Sequence, residues 1–212
     1  MAASVEVICN KALSRLGIRQ RITTLATDAA NGMAEAVACN DWYATARDLV
    51  LADFDWPFAR VKADLSAATG EAAWDGWAYI HVLPSSPVLV SPLFLLPKGV
   101  PPRKLTSSMR EPFQIVKSSQ NDSMIVLSDQ PTPTLYYTAQ ITDTTKFAVD
   151  FEDAVVWRLA MEICVPLNAD MKKGDYARQR YEKSVADVIA GVWNSYQSED
   201  EEPEGESITA RS

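Results

Sequence analysis

The 212-residue sequence predicts an α+β fold, a helical bundle of about four helices carrying an inserted antiparallel β-rich region. Apolar residues recur at three- and four-residue steps near both ends of the chain, as on one face of a helix. The middle switches to short alternating runs, and six of the twelve prolines crowd between Pro84 and Pro102, which excludes a continuous helix there. These changes divide the chain into a helical part (1–60), a β-rich and proline-rich insertion (61–149), helices completing the bundle (150–197) and an acidic tail (198–212).

The first helix is predicted over residues 5–16, with Val5, Ile8, Ala12, Leu13 and Leu16 on one face and Gly17 placed to end it in a left-handed cap. A basic, then β-branched link follows (19–24). The second helix is predicted as one long element over 28–54, capped by Thr27 or Asp28, with Met33, Val37, Tyr43, Ala46 or Arg47, Val50 and Phe54 in a stripe. Pro57 disfavours helix in the residue before it, and Phe54, Trp56 and Phe58 form an aromatic plug at that stop.

In the middle, residues 74–83 read as a strand, with Trp77, Tyr79 and His81 on one side and Ala78, Ile80 and Val82 on the other. Residues 113–116 and 124–127 flank a polar turn and predict a hairpin. Residues 134–138 are expected to add a third antiparallel strand to it. The third helix (151–165) is apolar nearly all round, which predicts the most buried helix, with Asp150 as its cap. The fourth (172–197) carries a stripe of Tyr181, Val185, Val188, Val192 and Tyr196.

Composition narrows the function. A chain that is 47% hydrophobic and 23% charged can bury a core without metals or disulfides. Cys9, Cys39 and Cys164 are odd in number and far apart, so they read as buried thiols. No apolar run is long enough for a membrane helix, and Glu6 precedes any basic residue, so neither a membrane span nor a secretory signal is predicted. The net charge of −8 divides into −5 on the tail, from six acids and Arg211, and −3 on the body. Such a body lacks the cationic excess that dominates nucleic-acid affinity. The tail has no apolar periodicity and is predicted to be disordered alone.

A search for chemistry finds little. His81 is the sole histidine, and no second histidine or cysteine is spaced to share a metal with it. No serine lies in a GxSxG elbow, and neither GxGxxG nor GxxxxGK[ST] occurs. No catalytic, cofactor-binding or metal-binding residue is assigned, no cofactor is predicted, and the chain is not expected to be an enzyme. His81 reads as a half-buried structural side chain. Asp53 with Asp55, and Asp150 with Asp153, fall at helix ends where capping explains them. The patch Lys98-Gly-Val-Pro-Pro-Arg-Lys104 suits a protein interface, with Arg103 and Lys104 as partner contacts. The end of the tail, Ile208-Thr-Ala-Arg-Ser212, supplies Ile208 and Arg211 as two more.

The order of these signals resembles the head-to-tail adaptors of bacteriophages, of the tail tubular protein A kind. Ile8-Cys-Asn-Lys-Ala-Leu-Ser-Arg-Leu-Gly17 is similar to the family's N-terminal helix. Tyr43-Ala-Thr-Ala-Arg-Asp-Leu-Val-Leu51, then Trp56-Pro-Phe-Ala59, is similar to its helix exit. Trp77-Ala-Tyr-Ile-His-Val-Leu-Pro84 resembles its aromatic strand. Leu135-Tyr-Tyr, Phe147 and Phe151-Glu-Asp-Ala-Val-Val-Trp-Arg-Leu-Ala160 resemble its last strand and core helix. At Ser85-Ser86 the chain departs from the family, which has an acidic residue there and often a cysteine.

The resemblance implies a structural virion protein of the neck, assembled in the host cytoplasm as a dodecameric ring. Its partners would be the portal protein and a tail or nozzle protein, with DNA passing through the lumen unbound during genome ejection. An alanine-rich second helix suits lateral packing, and the proline-rich β-loops suit a projecting contact surface. Two other readings stay open: a non-viral cytosolic scaffold, and a small enzyme using His81.

Overall fold

The computed structural model describes residues 4–68, 74, 76–100, 109–120, 122–167 and 170–197, the last six by backbone alone. Among these residues the fold is α+β: five α-helices, with two small antiparallel sheets inserted between the third and fourth.

Helix α1 (Val5–Arg15) begins at Ser4, whose hydroxyl accepts from Val7 N–H. It ends at Gly17, whose φ of +75° lets Gly17 and Ile18 N–H return to Ser14 and Leu13 carbonyls. The long second helix is instead two. Helix α2 (Leu25–Ala30) and helix α3 (Ala34–Asp53) are separated by Asn31, Gly32 and Met33. Gly32, at φ +79°, permits the same closure, with Gly32 and Met33 N–H bonded to Ala29 and Asp28 carbonyls. Neither Thr27 nor Asp28 caps the helix from in front. Asp28 lies inside α2 and accepts from Thr23 and Thr24 N–H, reaching back over the first turn.

Helix α3 ends at the aromatic plug as predicted. Trp56 is buried and its indole N–H donates to the Val50 carbonyl at 2.7 Å, fixing the chain reversal before the 3₁₀ turn Pro57–Ala59. Trp56 and Phe58 meet Phe151 edge-on, each with centroids 5.0 Å apart. Helix α4 (Val149–Cys164) is the buried centre against which α1, α3 and α5 (Met171–Gln197) pack. Its cap position is Ala148, with no side-chain bond, so Asp150 is not the cap; it lies in the first turn, where its charge suits the helix dipole.

The insertion departs further from expectation. Strands β1 (Arg60–Asp64), β6 (Pro133–Ala139) and β3 (Leu89–Pro97) form one sheet in the order β1-β6-β3. Strands β2 (Tyr79–Val82), β5 (Met124–Ser128) and β4 (Phe113–Lys117) form the other, in the order β2-β5-β4. The β4–β5 hairpin is present, with Phe113 opposite Ser128 and Lys117 opposite Met124. Residues 134–138 do not extend it; the third strand beside β5 is β2. They form the middle of the other sheet, where all seven residues of β6 are buried.

Residues 89–97 are not a projecting loop either. They form an edge strand with Phe94, Leu95 and Leu96 buried, and two register shifts accommodate the prolines. Residues 101–108 and 198–212 lie outside the described residues, and with them the predicted contacts Arg103, Lys104, Ile208 and Arg211.

A polar latch joins the two parts. Arg47 on α3 is buried, and its Nε and Nη2 both lie 2.8 Å from Asp48 Oδ1. Asp48 Oδ2 accepts from Gln140 Nε2 at 2.8 Å, and Gln140 directly follows β6. The Arg47-Asp48 pair therefore fastens the insertion to the bundle.

Candidate functional site

His81 is fully buried rather than half-buried. Its Nε2 lies 2.9 Å from the Gln130 carbonyl, which can only accept, so Nε2 carries the proton. Ser128 Oγ donates to the same carbonyl at 3.3 Å. His81 Nδ1 is buried without a partner. Burial pushes the histidine below its ordinary pKa, against the opposing effect of the Gln130 bond. In this setting the ring anchors the turn between β5 and β6 to β2.

The acid pairs are separated by their partners. Asp53 accepts from Tyr181 OH at 2.5 Å, while Asp55 forms a two-bond fork with Arg60 at 2.9 and 2.6 Å. Burial, then the Asp53 bond, raises the Tyr181 hydroxyl well above its usual range. The three cysteines are free and buried. A hydrogen bond with Cys39, then burial, holds the Cys9 thiol far above its ordinary pKa, so Cys9 is a neutral packing group. Among the described residues no three His, Cys, Asp or Glu cluster to hold a metal. No described helix is long and apolar enough to cross a membrane.

A concave surface lies on the bundle instead. Helix α1 and Arg21 form one wall of a groove of about 950 Å³, and α4 with Tyr176 forms the other. On α1, Lys11 and Arg15 stand four residues apart and so share the outer face. Lys11 Nζ meets Glu152 Oε1 at 2.5 Å, and Arg15 Nη2 meets Asp153 Oδ1 at 3.3 Å. Arg15 also lies over the Trp157 ring at 4.3 Å, and Arg180 of α5 approaches the same ring at 5.5 Å. The Trp157 indole N–H donates to Asp153 Oδ2 at 3.0 Å, which holds the ring in place.

Nothing in this groove forms a nucleophile–base pair. Its chemistry is that of recognition: ion pairs, each worth about 0–1 kcal/mol, that can exchange partners beside the exposed Tyr176, over a Trp157 ring that is itself buried. The sequence does not reveal it, because it forms only where α1 meets α4; Trp157 itself is core, as the apolar character of its helix predicts. The signal was the spacing of Lys11 and Arg15 on a helix otherwise assigned by its apolar face. No family model matches the chain, and no curated protein matches it.

Proposed function

We propose that the chain is a structural subunit of a bacteriophage neck, a head-to-tail adaptor that forms a ring between portal and tail. The observation that carries the reading is where the resembling motifs fall. Arg47-Asp48 and Trp56-Pro-Phe-Ala59 lie at the joint between bundle and insertion, as the latch and the plug that set one part against the other. Such residues hold a shape, and shape is what a ring subunit supplies. Phe147 and Phe151 complete the same plug from the other side, with centroids 4.8 Å apart. The recognition groove suits a heterologous contact, in which one surface meets a different surface of the next copy and closure gives a ring.

The acidic body is consistent with a lumen that lets DNA pass, since unneutralised phosphate is repelled by it. The test is assembly. The purified protein, mixed with the portal protein encoded in the same genome, is expected to add a ring-shaped layer to the portal in negative-stain electron microscopy. Portals that remain bare at micromolar adaptor would refute the reading.

A further inference from the structure

Between Asn10 and Thr23 the chain carries Lys11, Arg15, Arg19 and Arg21, and no acid. Lys11 and Arg15 are paired across the groove with Glu152 and Asp153. Arg19 and Arg21 line a second concavity of about 340 Å³, and Arg21 borders the groove as well. Both are exposed, and among the described residues neither has an ion-pair partner. The two concavities together form a trough with more bases than acids, on a chain of net charge −8.

The complementary charge follows α5 in the same chain, as Glu199, Asp200, Glu201, Glu202, Glu204 and Glu206 after Gln197. The fold brings that end of α5 near the trough. Ile22 N–H donates to Asn10 Oδ1 at 2.9 Å, and Asn10 Nδ2 donates to the Ile22 carbonyl at 2.8 Å. The chain after Gly17 thus returns along α1 and sets Arg21 in one groove with Val149 and Glu152, at the start of α4. Gly191 of α5 borders a neighbouring concavity with Asp150 and Asp153, at the same end of α4. From Gly191 to Gln197 the helix axis rises about 9 Å at ~1.5 Å per residue, and packed helix axes lie about 8–10 Å apart. Extended at ~3.4 Å per residue, Glu202 reaches up to about 17 Å from Gln197, and Glu206 about 31 Å. The later acids can therefore double back to Arg21 and Arg19 of their own chain. The way there passes Arg180 and Lys183, with Asp150, Asp153 and Asp187 alongside.

We propose that residues 199–206 fold back over the trough of their own chain, with Glu202, Glu204 and Glu206 set against Arg21 and Arg19. The tether selects this occupant. Exposed ion pairs contribute about 0–1 kcal/mol each, too little to hold a separate chain. A segment joined to the same chain meets the trough at an effective concentration of order mM. Ile208, beyond the last acid, is then brought to a rim on which Val7 is 42% exposed, Val149 82% and Tyr176 53%. Screening over about 10 Å at 0.1 M salt makes the contact an equilibrium, closed at low salt and open at high salt. Docking of the arm goes beyond the adaptor reading and does not depend on it; within that reading, the arm covers the groove of the free chain and gives way where a neighbour seats.

A nitroxide on Ser207→Cys in the full chain tests this, because Cys9, Cys39 and Cys164 are buried and leave the new thiol as the site of labelling. At about 50 mM salt the label is expected to weaken the amide signals of residues 14–22 at least about twofold, and about 500 mM salt should restore them. Arg19→Glu with Arg21→Glu should restore them at low salt, because like charges then face each other. Should that reversal disturb the circular dichroism, Arg19→Ala with Arg21→Ala reads the same contact, with at least about half of the lost signal expected back. Undiminished signals at about 50 mM salt overturn the proposal, the result expected if the arm serves a basic surface on another protein. Weakening that survives high salt or the arginine substitutions also overturns it, since charge then does not hold the arm. Isotope-labelled chains without nitroxide, mixed with spin-labelled chains of natural isotope content, should keep their signals. Equal weakening in that mixture would show the arm crossing between copies and overturn docking within one chain. A bare portal in the assembly experiment changes none of these outcomes, so the two ideas fail separately.

Discussion

In the bundle, α1, α3 and α5 close on α4, and buried residues from Ile8 to Tyr181 form one continuous cluster. In the insertion the buried residues fall into three smaller groups, around Leu135 and Tyr137, around Ile80 and Leu127, and around Phe94 and Tyr136. A helix can bury a broad stripe against several neighbours at once, whereas each face of a three-stranded sheet meets only what covers it. The bundle should therefore respond to damage as a unit. The insertion should respond locally, with the Trp56–Phe58 plug, the Arg47–Asp48–Gln140 latch, Val90 and Ile141 carrying what coupling exists.

The largest expected effect is at the shared plug. Phe151→Ala removes the ring against which Trp56, Phe58 and Phe147 pack, and should cost about 3–5 kcal/mol, seen as a lower melting temperature for helix and sheet signals together. Leu127→Ala, buried in one of the small groups, should cost about 2–3 kcal/mol and speed amide exchange in β2, β4 and β5 while α4 stays protected. If α4 loosens as much, the two regions are one cooperative unit and the contrast fails.

Asp48→Ala should cost about 1–2 kcal/mol, because it strips both Arg47 and Gln140 of their acceptor while Asp48 itself is one-third exposed. The specific outcome is divergence of sheet and helix melting curves that coincide in the wild type. Full coincidence in the variant would mean that apolar contacts alone hold the parts together.

The smallest effect is a pH dependence confined to the insertion. Burial lowers the His81 pKa in the folded state, so the unfolded chain binds the proton more readily. Stability from this group is fully present above the unfolded value of about 6.5 and declines as pH falls below it toward the folded value. Exchange rates of β2 and β5 amides should rise on acidification from pH 7 to 5.5 in the wild type. His81→Gln should flatten that rise, whatever its effect on stability at pH 7.

Periodicity alone located the helical frame. Ile8, Ala12 and Leu13 on α1 are buried as their spacing requires, and the apolar circumference of α4 became the centre of the bundle. Gly17 and Pro57 announced their turns because glycine alone adopts positive φ freely and proline fixes its own φ, without help from the rest of the chain. The β4–β5 hairpin was legible for the same reason: its turn lies between the strands it joins.

What tertiary structure decided was everything that depends on residues distant in sequence. Gly32 could have been a tolerated glycine inside a long helix, and only the placement of α2 against α3 selects the broken form. The strand at 133–139 carries the same pattern whichever sheet it joins, and its place between β1 and β3, where all seven residues are buried, is set by the tertiary packing. The groove followed the same logic. Lys11, Arg15, Trp157 and Arg180 each have an ordinary local explanation, and they become one surface because α1 and α5 flank α4. Local rules act over a turn of helix or a hairpin, while a site is a meeting of faces, and which faces meet is settled by how the whole chain buries its apolar surface.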